Sequence, residues 1–116
     1  MRQTDSLVAE VERIAADCGA DVGFGCLHVE SGAQASLNGD RAFCMASTYK
    51  IAIAARLLRR VDDGEYSLDQ MIDITQDDLS PGGGLVKAHI YHPGLALSIH
   101  NLILLAMTVS DNTSTD

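Results

Sequence analysis

The chain has no tryptophan, and with two phenylalanines and three tyrosines in 116 residues its aromatic content is only 4%. A core without large rings has to be aliphatic, and Leu, Ile, Val and Ala make up most of the 47% hydrophobic content. Basic residues are scarce too. Eight Lys and Arg stand against sixteen Asp and Glu, a formal net charge of −8, which argues against nucleic acid or an anionic membrane surface as partner, since both need clustered cations. The one basic cluster, Arg56, Arg59 and Arg60, has the spacing of a solvated helix face. Long apolar runs are absent: the longest, Leu102 to Met107, falls far short of the roughly 20 residues of a membrane span. The opening residues Met1-Arg2-Gln3-Thr4-Asp5-Ser6 lack the apolar segment of a signal peptide, so the expectation is a cytoplasmic protein or one whose leader has been removed. Cys18, Cys26 and Cys44 are odd in number and lack metal-ligand spacing. They read as reduced, packed thiols, with a bridge between two of them left open.

What the chain does have is a hydroxyl and an amine three residues apart where a helical pattern begins, in Met45-Ala46-Ser47-Thr48-Tyr49-Lys50-Ile51-Ala52. Positions i and i+3 share a helix face, so the Ser47 oxygen and the Lys50 nitrogen can meet. A serine alcohol is a weak nucleophile at neutral pH and needs a neighbouring base as it attacks a carbonyl. Lys50 fits that role if it is held as the neutral amine. A helix N-terminus assists twice, because its free NH groups can face a developing oxyanion and its positive dipole end disfavours a charged lysine. Alone, the same residues equally suit an N-cap serine followed by a surface lysine.

Along the chain, Leu7, Val8, Val11, Ile14 and Ala15 form an apolar stripe at helical spacing over residues 5 to 17. Asp5 or Ser6 is placed as N-cap and Gly19 to end the helix. Residues 21 to 30 switch to strand alternation, Ser31-Gly32 makes a turn, and Ala33 to Leu37 is a return strand before Asn38-Gly39-Asp40. A second helix runs from Ser47 to about Val61 with Ile51, Ala54, Leu57, Leu58 and Val61 facing a core, and Asp62-Asp63-Gly64 ends it. Ser67 to Thr75 is ambiguous. Ser80-Pro81-Gly82-Gly83-Gly84 is a loop, followed by about one turn of helix at Leu85 to His89. It is no phosphate loop, because neither a preceding buried strand nor a Gly-Lys-Ser/Thr ending is present. Ser98 caps a helix reaching about Val109 that is apolar on almost every face, the pattern of a buried central helix.

Straight after that helix comes Ser110-Asp111-Asn112-Thr113, polar groups delivered to the end of a hydrophobic rod. Facing a cleft, Ser110 can relay a proton, and Asn112 can hydrogen-bond both a substrate amide and the Lys50 amine; alone, the same residues suit a helix C-terminus and turn. In this order, Ser-x-x-Lys followed by Ser-Asp-Asn resembles the serine β-lactamases and penicillin-binding proteins, whose third motif is Lys-Thr-Gly. Phe43-Cys44-Met45-Ala46-Ser47-Thr48-Tyr49-Lys50 is similar to that family's run into its nucleophile, and Met107-Thr108-Val109-Ser110-Asp111-Asn112-Thr113 follows the class A form. Gly94-Leu95-Ala96-Leu97-Ser98 and Gly82-Gly83-Gly84-Leu85-Val86 also have counterparts in class A-like hydrolases.

The resemblance implies an α+β protein of the β-lactamase/DD-peptidase-like fold, truncated. Residues 1–45 would be the N-terminal helix and hairpin of the α/β part, and 46–116 part of the all-helical subdomain. It implies Ser47 as acylated nucleophile, Lys50 as the amine that helps activate it, Ser110 as proton relay and Asn112 as ligand of a substrate amide. The Ser47 NH would be one oxyanion donor, and Asp111 would brace the loop from behind. The expected substrate is a β-lactam, opened through an acyl-enzyme and then hydrolysed. Alternatives are a D-Ala-D-Ala peptidase or esterase of the same fold, or a non-catalytic fragment. No Lys-Thr-Gly follows before Asp116, nor the later loop whose glutamate positions the deacylating water in class A enzymes, so the chain reads as the N-terminal part of a larger protein. Such enzymes are usually periplasmic or secreted. No cofactor is expected. His89 and His92 stand one helical turn apart, but no third ligand supports a metal site and Pro93 breaks the segment; His28 and His100 read as packed or surface residues.

Overall fold

The structure is a computed structural model that describes residues 3–116. The chain divides into two compact units, Met1–Cys44 and Met45–Asp116.

In the first unit, helix α1 (Gln3–Cys18) precedes a hairpin of β1 (Phe24–Leu27) and β2 (Gln34–Leu37). α1 begins two residues before Asp5, which places that carboxylate in the first turn, where the helix dipole favours it. Gly19, at φ 62°, ends it as expected. The hairpin is antiparallel in the register Phe24 to Leu37 and Cys26 to Ala35, and its turn closes by Gly32 N–H donating to His28 O at 2.8 Å. α1 lies against β2, where Ala35 is buried. Phe43 folds back onto Gly23, where a Cβ would come 2.5 Å from Cε2 of the ring. All three cysteines are free and exposed rather than packed.

In the second unit, a 3-10 turn over Ala46–Tyr49 leads into α2 (Lys50–Asp62), and α3 (Ile99–Thr108) packs across it. Between them, the ambiguous stretch supplies β3 (Met71–Asp73), which pairs antiparallel with β4 (Ala96–Ser98) in the register Ile72 to Leu97. The turn expected after the glycines is a wider, π-type one, Val86–Ile90. Ser98 does cap α3, its hydroxyl accepting from Asn101 N–H at 3.2 Å. α3 buries Ile99 and Ala106 but leaves Leu104 and Met107 exposed, so within this chain it is half-covered rather than central. Val86 and Asp111 are the two largest side chains with no exposure at all, and the backbone N–H of Val86 donates to the Asp111 carboxylate.

Candidate active site

The expected α-helical start at Ser47 is instead the 3-10 turn, and the tighter winding favours the pairing the sequence suggested. With three residues per turn, positions i and i+3 eclipse, so Lys50 sits directly in line with Ser47. The turn is held by Thr48, whose N–H and hydroxyl both donate to Met45 O, at 3.0 and 2.6 Å. It is entered through Ala46 at a left-handed φ of 44°, a conformation costing a residue with a Cβ on the order of 1–3 kcal/mol.

Lys50 is 2% exposed, with its amine turned towards the end of α3. It donates to Ser110 O at 2.5 Å, Ser110 Oγ at 3.2 Å and Asn112 Oδ1 at 2.7 Å. All three partners are neutral oxygens, and no carboxylate is among them. Ser110 Oγ in turn donates to Ser47 Oγ at 2.8 Å. The four residues singled out in the sequence, Ser47, Lys50, Ser110 and Asn112, therefore lie together in one hydrogen-bonded series. The order differs from the expected one in a single respect: the link between Lys50 and Ser47 runs through the Ser110 hydroxyl. Ser47 itself is exposed, open to a ligand.

What aims Ser110 and Asn112 is the way α3 ends. Ser110 has φ 56°, a left-handed exit usually given to glycine, and Asp111 N–H donates back to Leu105 O at 3.2 Å. Asp111 then points inward, its Oδ2 accepting from Val86 N–H and its Oδ1 from Ser114 N–H, both at 2.8 Å. Two charge-assisted bonds to backbone fix the loop from behind. Thr113, also buried, accepts from Ser80 N–H at 3.1 Å. These bonds tie the glycine loop to the polar tip.

The sequence did not disclose how closely the glycines approach. At Gly84, φ 146°, a Cβ would fall 2.9 Å from Asp111 Cγ and 3.1 Å from Asn112 N. At Gly82 it would fall 2.5 Å from Asn112 Nδ2. The signal that could have found them is the coincidence of three consecutive glycines with a motif that must admit a buried carboxylate.

Among the described residues no group of three or more His, Cys, Asp and Glu side chains is placed to hold a metal, and no helix is long and apolar enough to cross a membrane.

Comparison with known proteins follows the same lines. The family model of the "Beta-lactamase enzyme family" matches residues 6–116. The chain is 29% identical to the β-lactamase VEB-1 of Pseudomonas aeruginosa, over 98% of its own length and 38% of that relative's. It is likewise 29% identical to a β-lactamase of Rhodobacter capsulatus, over 95% of this chain and 36% of the other. Among solved structures, the β-lactamase of Sphaerobacter thermophilus superposes with a TM-score of 0.84 at 36% identity, covering 95% of this chain and 40% of that one. A PBP-A variant solved as an acyl-enzyme complex with penicillin G superposes with a TM-score of 0.80 at 26% identity, covering 96% and 42%. The chain thus spans about two fifths of the length of the proteins it matches.

Proposed function

Because the chain belongs to the beta-lactamase enzyme family, we propose that it carries the acylating half of a class A β-lactamase-like serine hydrolase, with Ser47 as nucleophile. The observation that carries this reading is the unbroken series from Ser47 Oγ through Ser110 Oγ to Lys50 Nζ and Asn112 Oδ1. In the reaction, Ser47 Oγ bonds to the lactam carbonyl carbon and the lactam C–N bond breaks. For that step the Ser110 hydroxyl turns its hydrogen from Ser47 to a neutral Lys50 amine, so that the Ser47 proton passes to Ser110 Oγ and the Ser110 proton to Lys50 Nζ, and the same route in reverse delivers a proton to the departing nitrogen. Ser110 lies between the two groups and can pass a proton without moving far. Asn112 holds Lys50 through Oδ1 and turns Nδ2 to a substrate amide carbonyl. The Ser47 N–H, at the start of the turn, is one oxyanion donor.

Completing a turnover needs a second oxyanion donor and a positioned water. The motifs that supply them in this family, Lys-Thr-Gly and the deacylating glutamate, are not in this sequence. We therefore place hydrolysis in the full-length protein and expect none from residues 1–116 alone. The likeness to a PBP-A acyl-enzyme favours one second reading, a D-Ala-D-Ala peptidase or esterase of the same fold, which shares the acylation step and differs in how the ester is released.

The test is covalent labelling of the full-length protein by a penicillin, read by intact mass. The unmodified protein should gain one acyl adduct and Ser47→Ala none; undiminished labelling of Ser47→Ala removes Ser47 from this role. Nitrocefin turnover then separates the two readings, being sustained for a β-lactamase and stopping after one equivalent for a peptidase.

A further inference from the structure

The side chain of Asn112 has only one orientation compatible with Lys50. An ammonium or amine at 2.7 Å donates, so the atom facing it must be Oδ1, and Nδ2 is left on the opposite edge of the carboxamide. That edge lies over Gly82. A Cβ on residue 82 would stand 2.5 Å from Nδ2 and 3.5 Å from Cγ of Asn112, with Ser80 Oγ next at 3.8 Å. Gly82, unlike Gly83 and Gly84, is not in the left-handed region, so its own backbone does not require glycine. The space above it does.

We infer that Gly82 is a positioning residue for Asn112: its bare Cα is the floor on which the carboxamide rests while holding Lys50 on one edge and offering Nδ2 on the other. The inference rests on the acyl-transfer reading for its consequence in rate, but the contact itself is independent of it. Any larger residue at 82 displaces the far end of a flexible side chain and spares the buried framework of Asp111 and Val86. The carboxamide swings, lengthening the bond to Lys50 and carrying Nδ2 away from the substrate amide. Its neighbour offers the contrasting case. Gly83 has φ 78° and nothing within 4 Å of a Cβ, so alanine there strains the backbone and leaves Asn112 where it is.

The two glycines therefore separate in the full-length protein. Gly82→Ala should slow acylation by penicillin between about tenfold and a hundredfold, the range expected when a reacting group is misplaced by a small distance. Gly83→Ala should lower the melting temperature and leave the acylation rate within about twofold. In an Asn112→Ala background, adding Gly82→Ala should have no further effect on the rate, because the group it displaces is gone. A Gly82→Ala protein that acylates at the parent rate overturns the inference. So does one whose rate defect multiplies undiminished with that of Asn112→Ala. If the parent protein takes no label, the acyl-transfer reading fails instead, and the side-chain amide resonance of Asn112 decides the contact. Gly82→Ala should shift that signal and Gly83→Ala should not; an unmoved signal in Gly82→Ala overturns the inference.

Discussion

A carboxylate without solvent exposure normally needs a cation, and among the described residues Asp111 has none. Its two oxygens are met by two backbone N–H groups, of Val86 and Ser114, so the charge is stabilised by peptide dipoles belonging to the elements it must hold together. Asp111→Asn keeps the shape but sets an NH2 group against one of those N–H donors. Leaving that donor unpaired is expected to cost about 1–3 kcal/mol, measured by urea unfolding of the full-length protein; a loss below about 0.5 kcal/mol would mean the brace is unimportant. At this scale the sequence was partly readable. Ser47, Lys50, Ser110 and Asn112 stand in recognisable local patterns, each of which alone equally suits a helix cap or a turn, and it is the resemblance to the serine β-lactamases that implies the two motifs meet. That Ser110 lies between Lys50 and Ser47 depends on the left-handed turn at Ser110, and the role of Gly82 depends on a contact thirty residues away in sequence, neither of which local spacing encodes.

The elements follow their local signals where those signals are strong. The helical periodicity read over residues 5–17 and from Ser47 to about Val61 corresponds to α1 (Gln3–Cys18) and, three residues late at its start, to α2 (Lys50–Asp62), and the Ser98 cap and the hairpin around the 31–32 turn are also present. β3 was not legible because three residues carry no period, and what makes Met71–Asp73 a strand is pairing with Ala96–Ser98 across a long loop. That loop is fixed at its entry by Thr75 and Asp78, the carboxylate accepting from the Thr75 N–H and hydroxyl, each at 2.7 Å. The Thr75 hydroxyl first, and then its N–H, hold the Asp78 carboxyl below its ordinary 3.8. A depressed folded value means the turn gains from ionised Asp78 above that ordinary value, and the gain is lost as pH falls through the lower folded one. In a carboxyl NMR titration Asp78 should therefore titrate below 3.8, and Thr75→Val should bring the midpoint back up. A midpoint at or above 3.8 in the parent protein would contradict the arrangement.

At the scale of the whole molecule, the core of this chain is too small for the length it has to order. The buried hydrophobic residues are Ala35, Ala54, Ile74, Val86, Ile99 and Ala106, half of them alanines, and in the first unit Ala35 stands alone among the described residues. Large side chains such as Leu7, Ile14, Leu27, Ile51, Leu104 and Met107 remain exposed, and Val29 is 81% exposed. Fully burying a large aliphatic side chain contributes roughly 1.5–3 kcal/mol, whereas ordering each residue's backbone costs about 1–2 kcal/mol. A two-stranded hairpin gains little further from its own hydrogen bonds. The proteins it matches are much longer, this chain spanning 38% of one and 36% of another, and additional chain of that kind is what could cover the exposed faces. Expressed by itself, the 116-residue polypeptide should accordingly bind a hydrophobic dye such as ANS and show a broad, weakly cooperative thermal transition, with its mass checked by sedimentation. A sharp cooperative melt from a monomer would mean that these few contacts, with the hydrogen-bonded site at their centre, are enough to hold the fold.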